Sequence, residues 1–149
     1  MKIHFVCTAN TFRSRLAEAF IKSKGIQDLE ITSSGIEADR NVDGPVTWYG
    51  QKILRETNLI PYEKPFWDQT TGELLNSSDL IIFMQEWHHD QAGKRFGYDK
   101  ENYEVWNVDD IISHDLSAEE KIKMSEEIYT KIKTQVNDLI SRNFRPKNS

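Results

Sequence analysis

Apolar and polar positions follow two rhythms along the 149-residue chain. Short runs that are either alternating or continuously apolar, KIHFVC (2–7), LEITSS (29–34), DLIIFM (79–84) and YEVWNV (103–108), predict β-strands. Between them apolar residues recur every three to four positions, the period of a helix with one buried face. SRLAEAFIKSKG places Leu16, Phe20 and Ile21 on one face and stops at Gly25. PVTWYGQKILRET does the same with Val46, Tyr49, Ile53 and Leu54, and TTGELLNSS is a shorter amphipathic piece. The final helix starts with Ser117 and, three residues on, Glu120, a capping box in which each side chain satisfies the other's backbone N–H. Ile128, Ile132, Val136, Leu139 and Ile140 continue it as an apolar stripe, and the closing RNFRPKNS is expected to fray. Strands alternating with helices, without a repeat or a linker-like break, predict an α/β domain built on a parallel sheet.

Composition narrows the picture. With 38% hydrophobic and 29% charged residues, the chain is of ordinary globular type and suits one domain over residues 1–149. The longest apolar run, LIIFM, is far too short to span a membrane, and MKIHFVC reads as a strand, not a secretion signal. A cytoplasmic protein with no membrane partner is expected. A formal charge of −5 without a basic cluster argues against a nucleic-acid partner. A single cysteine permits no internal disulfide and no cysteine-rich metal site, so thiol chemistry is its remaining special use.

That cysteine, Cys7, ends the first predicted strand. In parallel α/β sheets ligands sit beyond the carboxyl ends of the strands, where loops lead into helix N-termini. The loop Thr8, Ala9, Asn10, Thr11, Phe12 delivers the chain to Arg13 and Ser14 at the start of the first predicted helix. Unsatisfied N–H groups there favour an anion, and together with the loop they form a positive nest. Helix N-termini and nearby cations promote ionisation of a thiol, and the planar fork of an arginine clamps two oxygens of an oxyanion. A nucleophile, an anion cradle and a clamp thus fit within eight residues. The plain alternative, a small buried cysteine closing a strand, leaves the polar loop and Arg13 without a purpose.

The spacing Cys-x5-Arg-Ser resembles the phosphate-binding loop of cysteine-dependent protein tyrosine phosphatases, and its place near the N-terminus resembles the low-molecular-weight family. VCTANTFRS (6–14) is similar to that family's V-C-x-G-N-x-C-R-S at Val6, Cys7, Asn10, Arg13 and Ser14. ITSSG (31–35) and SSDLIIFM (77–84) look like two further family segments, so the resemblance covers nearly the whole chain. It implies a four-stranded parallel sheet flanked by helices on both faces. It also implies phosphate binding by Thr8, Ala9, Asn10, Thr11, Phe12, Arg13 and Ser14, and hydrolysis through a cysteinyl-phosphate on Cys7. No metal or other cofactor is expected, because Arg13 and the loop amides supply the positive field.

The family takes its general acid from a late loop, typically Ile-x-Asp-Pro. In VWNVDDIISHD (105–115) that register assigns the role to Asp110, with Asp109 as the alternative and Ile111 in the place of the proline. If the fourth strand continued through Val108, the two acids would face opposite ways. Other departures matter too. Phe12 stands where many members carry a second cysteine, which removes a disulfide that shelters the nucleophile from peroxide. Ala9 replaces a common glycine and is tolerable at negative φ, while Arg15 replaces a common proline. Asp39 and Arg40 lie near the place of the usual aromatic wall, and Trp48 and Tyr49, at helical spacing, are expected to pack and not to line the site. His88 and His89 are read as a solvated face without a third metal ligand nearby, and His4 as pointing to the sheet face opposite Ile3 and Phe5. The sequence DGP (43–45) reads as a turn into the second helix.

The expected activity is hydrolysis of phosphomonoesters, with phosphotyrosine in protein as the substrate. Alternatives are a small-molecule or arginine phosphate as substrate, a non-catalytic phosphate- or phosphoprotein-binding module, and an arsenate reductase, for which the relay cysteines are missing.

Overall fold

The computed structural model describes residues 1–42, 44–111 and 115–144. The DGP turn, part of the late loop and the last five residues therefore fall wholly or partly outside the described residues. Four strands, β1 (Lys2–Cys7), β2 (Glu30–Gly35), β3 (Leu80–Phe83) and β4 (Tyr103–Val105), form one parallel sheet in the order β2-β1-β3-β4. Strand β1 is central, and its register aligns Cys7 with Gly35 and Val6 with Phe83, while Phe83 aligns with Val105. The carboxyl ends of three strands thus converge at Cys7.

Five α-helices are described: α1 (Arg13–Lys22), α2 (Trp48–Glu56), α3 (Gly72–Asn76), α4 (Glu86–Phe96) and α5 (Ala118–Asn143). Ile3, Phe5 and Cys7 point to one face of β1, where they join residues of α1, α2 and α5 such as Leu16, Leu54, Ile132 and Leu139. Val6 points to the other face and packs with Leu75 of α3 and Ala92 of α4. Burial of each such aliphatic side chain favours folding by about 1.5 to 3 kcal/mol, so the two apolar faces hold the helices on the sheet.

Local chemistry sets the helix ends. Thr47 caps α2 by accepting from Gly50 N, and Thr71 caps α3 by accepting from Leu74 N. The capping box of α5 is formed, with Glu120 N donating to Ser117 Oγ at 3.1 Å and Ser117 N to Glu120 Oε1 at 3.2 Å. Helix α4 ends at Gly97 in the left-handed conformation, φ 68°.

Two expectations need correction. Strand β2 begins one residue later than the pattern indicated and includes Gly35, because Gly35 pairs with Cys7. Strand β4 stops at Val105, three residues early, and Asn107 is left-handed at φ 56°, so no strand register persists to Val108. The chain still tracks β3, with Trp106 N donating to Phe83 O and Val108 N to Met84 O. The acid-bearing loop is therefore anchored by this irregular turn, and not by strand alternation.

Candidate active site

Cys7 is 3% exposed, and the loop after it is braced from outside. Its carbonyls at Cys7, Thr8 and Thr11 accept from Ile36 N, Glu37 N and Thr47 N. Asn10 turns the chain at φ 56°, a left-handed position that asparagine tolerates better than most residues, and Ala9 is not among the positive-φ residues. Gly35 is required by close approach. A Cβ there would lie 2.6 Å from Thr8 O and 2.7 Å from Asn10 N, both backbone atoms.

Behind the sulfur lies a buried polar network. Ser14 Oγ is 2.8 Å from Cys7 Sγ, and Asn10 N donates to the same sulfur at 3.3 Å. Asn10 Nδ2 donates to Ser14 Oγ and Ser33 Oγ, while Asn10 Oδ1 accepts from Asp68 N. Ser33 Oγ donates in turn to Glu18, which is paired with Lys22 at 2.8 Å and lies 3.9 Å from Lys64 Nζ. Burial holds the Lys64 ammonium below its ordinary pKa against the raising effect of Glu18 and Asp68. The side chains of Asn10 and Ser14 thus face this network.

On the open side, a pocket of about 100 Å³ is lined by Cys7, Thr8, Ala9, Thr11, Phe12 and Arg13 from the loop. Thr47, Tyr49, Asp110 and Ile111 complete its wall. A larger, open depression of about 470 Å³ beside Lys2, Glu30 and Asp79 lies at the other end of the strands and holds no candidate nucleophile. Arg13 is 2% exposed. Its Nη1 donates to Gln85 Oε1 and to Val108 O, both at 2.7 Å, and its Nη2 donates to Thr8 Oγ1 at 3.3 Å and lies 3.5 Å from Asp110 Oδ2. Asp109 is exposed and accepts from Gln85 Nε2 at 3.3 Å. Cys7, Arg13 and Asp110 therefore share one pocket, and Asp109 is turned out of it. Ile111 is buried, and its N–H holds Asp110 Oδ1 at 2.8 Å.

Several side chains sit differently from the sequence reading. His88 is fully buried, not solvated: its Nδ1 accepts from Gln85 N, so Nε2 carries the proton and donates to Thr8 Oγ1 at 2.8 Å. Burial first, and then Arg13, lower its pKa to about 3. His89 does have acidic neighbours, because its ligand atoms and those of Glu86 and Asp90 lie within 4.8 Å of one another. This group lies outside the pocket lining, and His89 itself stacks on Tyr103 at 3.9 Å. Tyr49 both lines the pocket and packs edge-on against Phe12, whereas Trp48 is 48% exposed. Asp39 and Arg40 are exposed on a short 3₁₀ turn (Ala38–Arg40), with Arg40 3.5 Å from Glu37. His4 does face away from Ile3 and Phe5, buried between Thr32 and Ser34. Arg15 donates to the carbonyls of Lys64 and Phe66 and ties that segment to α1.

Gln85, Glu18, Ser33 and Lys64 escape sequence reasoning, since their roles come from contacts across 15 to 72 positions. Only Gln85 has a local signal, as an amide two positions after a buried strand.

Comparison with known proteins agrees with this geometry. The profile of the family "Low molecular weight phosphotyrosine protein phosphatase" matches residues 2–146. A low molecular weight protein-tyrosine-phosphatase, PtpB, of Staphylococcus haemolyticus is 32% identical over 117 residues, 75% of this chain and 80% of that protein. A protein-arginine-phosphatase of Bacillus subtilis is 33% identical over 100 residues, 65% of this chain and 64% of its own, so this chain spans somewhat under two thirds of that relative. The solution structure of a low molecular weight protein tyrosine phosphatase from Bacillus subtilis superposes with a TM-score of 0.74 at 26% identity, covering 97% of this chain and 100% of that one. The strand order, the loop after β1 and these matches together place the chain in the low-molecular-weight phosphotyrosine protein phosphatase family, whose members are cysteine-based hydrolases.

Proposed function

We propose that the chain removes phosphate from phosphotyrosine in proteins through a cysteinyl-phosphate intermediate. The observation that carries this reading is the meeting of Cys7, Arg13 and Asp110 around a pocket of phosphoryl size. The Cys7 thiolate attacks phosphorus in line while the loop amides and Arg13 hold the equatorial oxygens. Phosphate displaces Asp110 from the open edge of Arg13, and the freed carboxyl protonates the departing oxygen. Asp110 then takes a proton from the water that attacks the cysteinyl-phosphate, and Ser14 stabilises the leaving sulfur. No step needs a metal, and a reducing cytoplasm keeps the lone thiol available.

A second reading, arginine phosphate as substrate, is favoured by the pocket wall. Thr8, Thr11 and Thr47 share that wall with two aromatic residues, of which Phe12 is buried and Tyr49 is partly exposed. The Bacillus subtilis protein-arginine-phosphatase adds support to it.

The test compares phosphotyrosine and phosphoarginine peptides with wild type, Cys7→Ser, Asp109→Asn and Asp110→Asn. Cys7→Ser should abolish turnover, and Asp110→Asn should slow an alkyl phosphate far more than p-nitrophenyl phosphate, whose leaving group needs no proton. Asp109→Asn showing that pattern in its place would move the acid by one residue. Phosphate binding without turnover in wild type would leave a binding module.

A further inference from the structure

The turn between β3 and α4 carries one side chain that touches both halves of the candidate machinery. Gln85 Oε1 accepts from Arg13 Nη1 at 2.7 Å, and Gln85 Nε2 donates to Asp109 Oδ1 at 3.3 Å. The chemistry allows only this orientation. A guanidinium can only donate and a carboxylate can only accept, so the amide cannot flip without losing both bonds. The backbone of Gln85 is fixed as well, because its N–H donates to His88 Nδ1, and the other nitrogen of that ring holds Thr8 in the phosphate loop.

The loop that carries Asp110 needs such a fixture. Strand β4 ends at Val105 and Asn107 is left-handed, so sheet hydrogen bonding ceases before the acid. Val108 is held on both sides, by its N–H to Met84 O and by its carbonyl from Arg13. Beyond Val108, the Asp110 carboxylate meets Arg13 Nη2 at 3.5 Å and the Ile111 N–H at 2.8 Å, while the loop that carries it is tied down by the bond from Gln85 to Asp109 and by the burial of Ile111. The position occupied in the family by a rigid proline is here Ile111, which leaves the backbone freer.

We propose that Gln85 is a positioning residue: its amide locks the loop of residues 107–110 to Arg13, so that the acid and the phosphate clamp are set by one group. The inference rests on the phosphatase reading, and concerns how Asp110 is held. Asp109 thereby acquires a task of its own, as the outer anchor of the loop. Misplacement of a catalytic group by about 1 Å costs on the order of 100-fold, so a single lost tether is measurable.

The experiment compares an alkyl phosphate with p-nitrophenyl phosphate and measures inhibition by inorganic phosphate. Gln85→Leu should lower kcat on the alkyl ester by about 10-fold or more, well beyond its effect on p-nitrophenyl phosphate, and should weaken phosphate inhibition because Arg13 loses a partner. Gln85→Glu keeps the acceptor for Arg13 but cannot donate to Asp109, and should show the same leaving-group signature. Asp109→Ala should reproduce that signature with phosphate inhibition unchanged. Its effect should also not add to that of Gln85→Leu, since both cut one tether. Equal slowing of both substrates in the two Gln85 variants, full additivity, or no leaving-group effect in Asp109→Ala would each overturn the proposal. Turnover that survives Cys7→Ser would instead overturn the phosphatase reading itself.

Discussion

The hydroxyl of Ser14 lies 2.8 Å from the sulfur of Cys7, and Asn10 Nδ2 donates to that hydroxyl at 2.7 Å, which directs the Ser14 proton at the sulfur. A hydrogen bond to a charged group is worth about 1.5 to 3 kcal/mol, and in the proposed mechanism it acts when sulfur leaves phosphorus. Ser14→Ala should therefore slow breakdown of the cysteinyl-phosphate by roughly 10- to 100-fold. Rapid-mixing experiments with p-nitrophenyl phosphate should then show a burst of nitrophenol. An unchanged kcat without a burst would remove Ser14 from the second step.

Arg13 reaches Gln85, Val108 and Thr8 at once with a flat, forked head. A lysine ammonium is a single point and cannot repeat that span. Arg13→Lys should cost about 3 to 4 kcal/mol in the transition state, a loss of at least about 100-fold in kcat/KM. A thermal melt run alongside separates this from unfolding, and unchanged kcat/KM would make the residue merely structural.

Gly35→Ala tests the close approach of β2 to the phosphate loop. Because the new methyl would meet backbone at Thr8, Ala9 and Asn10, the loop must shift and not merely a side chain. Overpacking of this kind costs about 1 to 3 kcal/mol of stability, and the loss of phosphate affinity should be the larger effect. Calorimetric titration with inorganic phosphate checks this, and wild-type affinity would contradict it.

Acid should destabilise the fold through two histidines. Burial, then Lys64 and Lys2, bring His4 down from 6.5 to about 3, and His88 falls to about 3 as well. Below 6.5 the unfolded chain takes up protons that the folded chain refuses, so stability is complete above that value and declines as pH falls towards 3. Each residue contributes on the order of 5 kcal/mol across that window. Urea unfolding between pH 7 and 4 should show the decline, and His4→Gln should flatten its slope by about one proton. A slope unchanged by that substitution would contradict the assignment.

The parts that were legible in the sequence are those written locally. The six residues of β1, the capping box of α5 and the run from Cys7 to Ser14 each depend on neighbours within one turn or one strand. The end of β4 was not legible, because Val105 and Val108 look alike as apolar residues and only the left-handed Asn107 between them breaks the strand. The burial of His88 is hidden from the sequence for a related reason. Its burial is decided by Thr8, 80 positions away, and a polar ring on a polar helix carries no mark of that. The pairing of Asp110 with the pocket followed from family register, while its physical cause, the anchoring of Val108 between Met84 and Arg13, spans three separate segments.

The three-residue edge strand β4 has one more consequence. Sheet edges open locally at lower free energy than central strands, and β4 has a neighbour on one side only. Cys7 ends the central strand, with partners on both sides. In the proposed mechanism, the half of the site that binds and attacks phosphate is thus built into the last part of the sheet to melt, and the half that delivers protons into an early one. Under mild denaturation the molecule should pass through a form that still takes up phosphate but fails with demanding leaving groups, with the amides of Trp106 and Val108 exchanging ahead of those in β1.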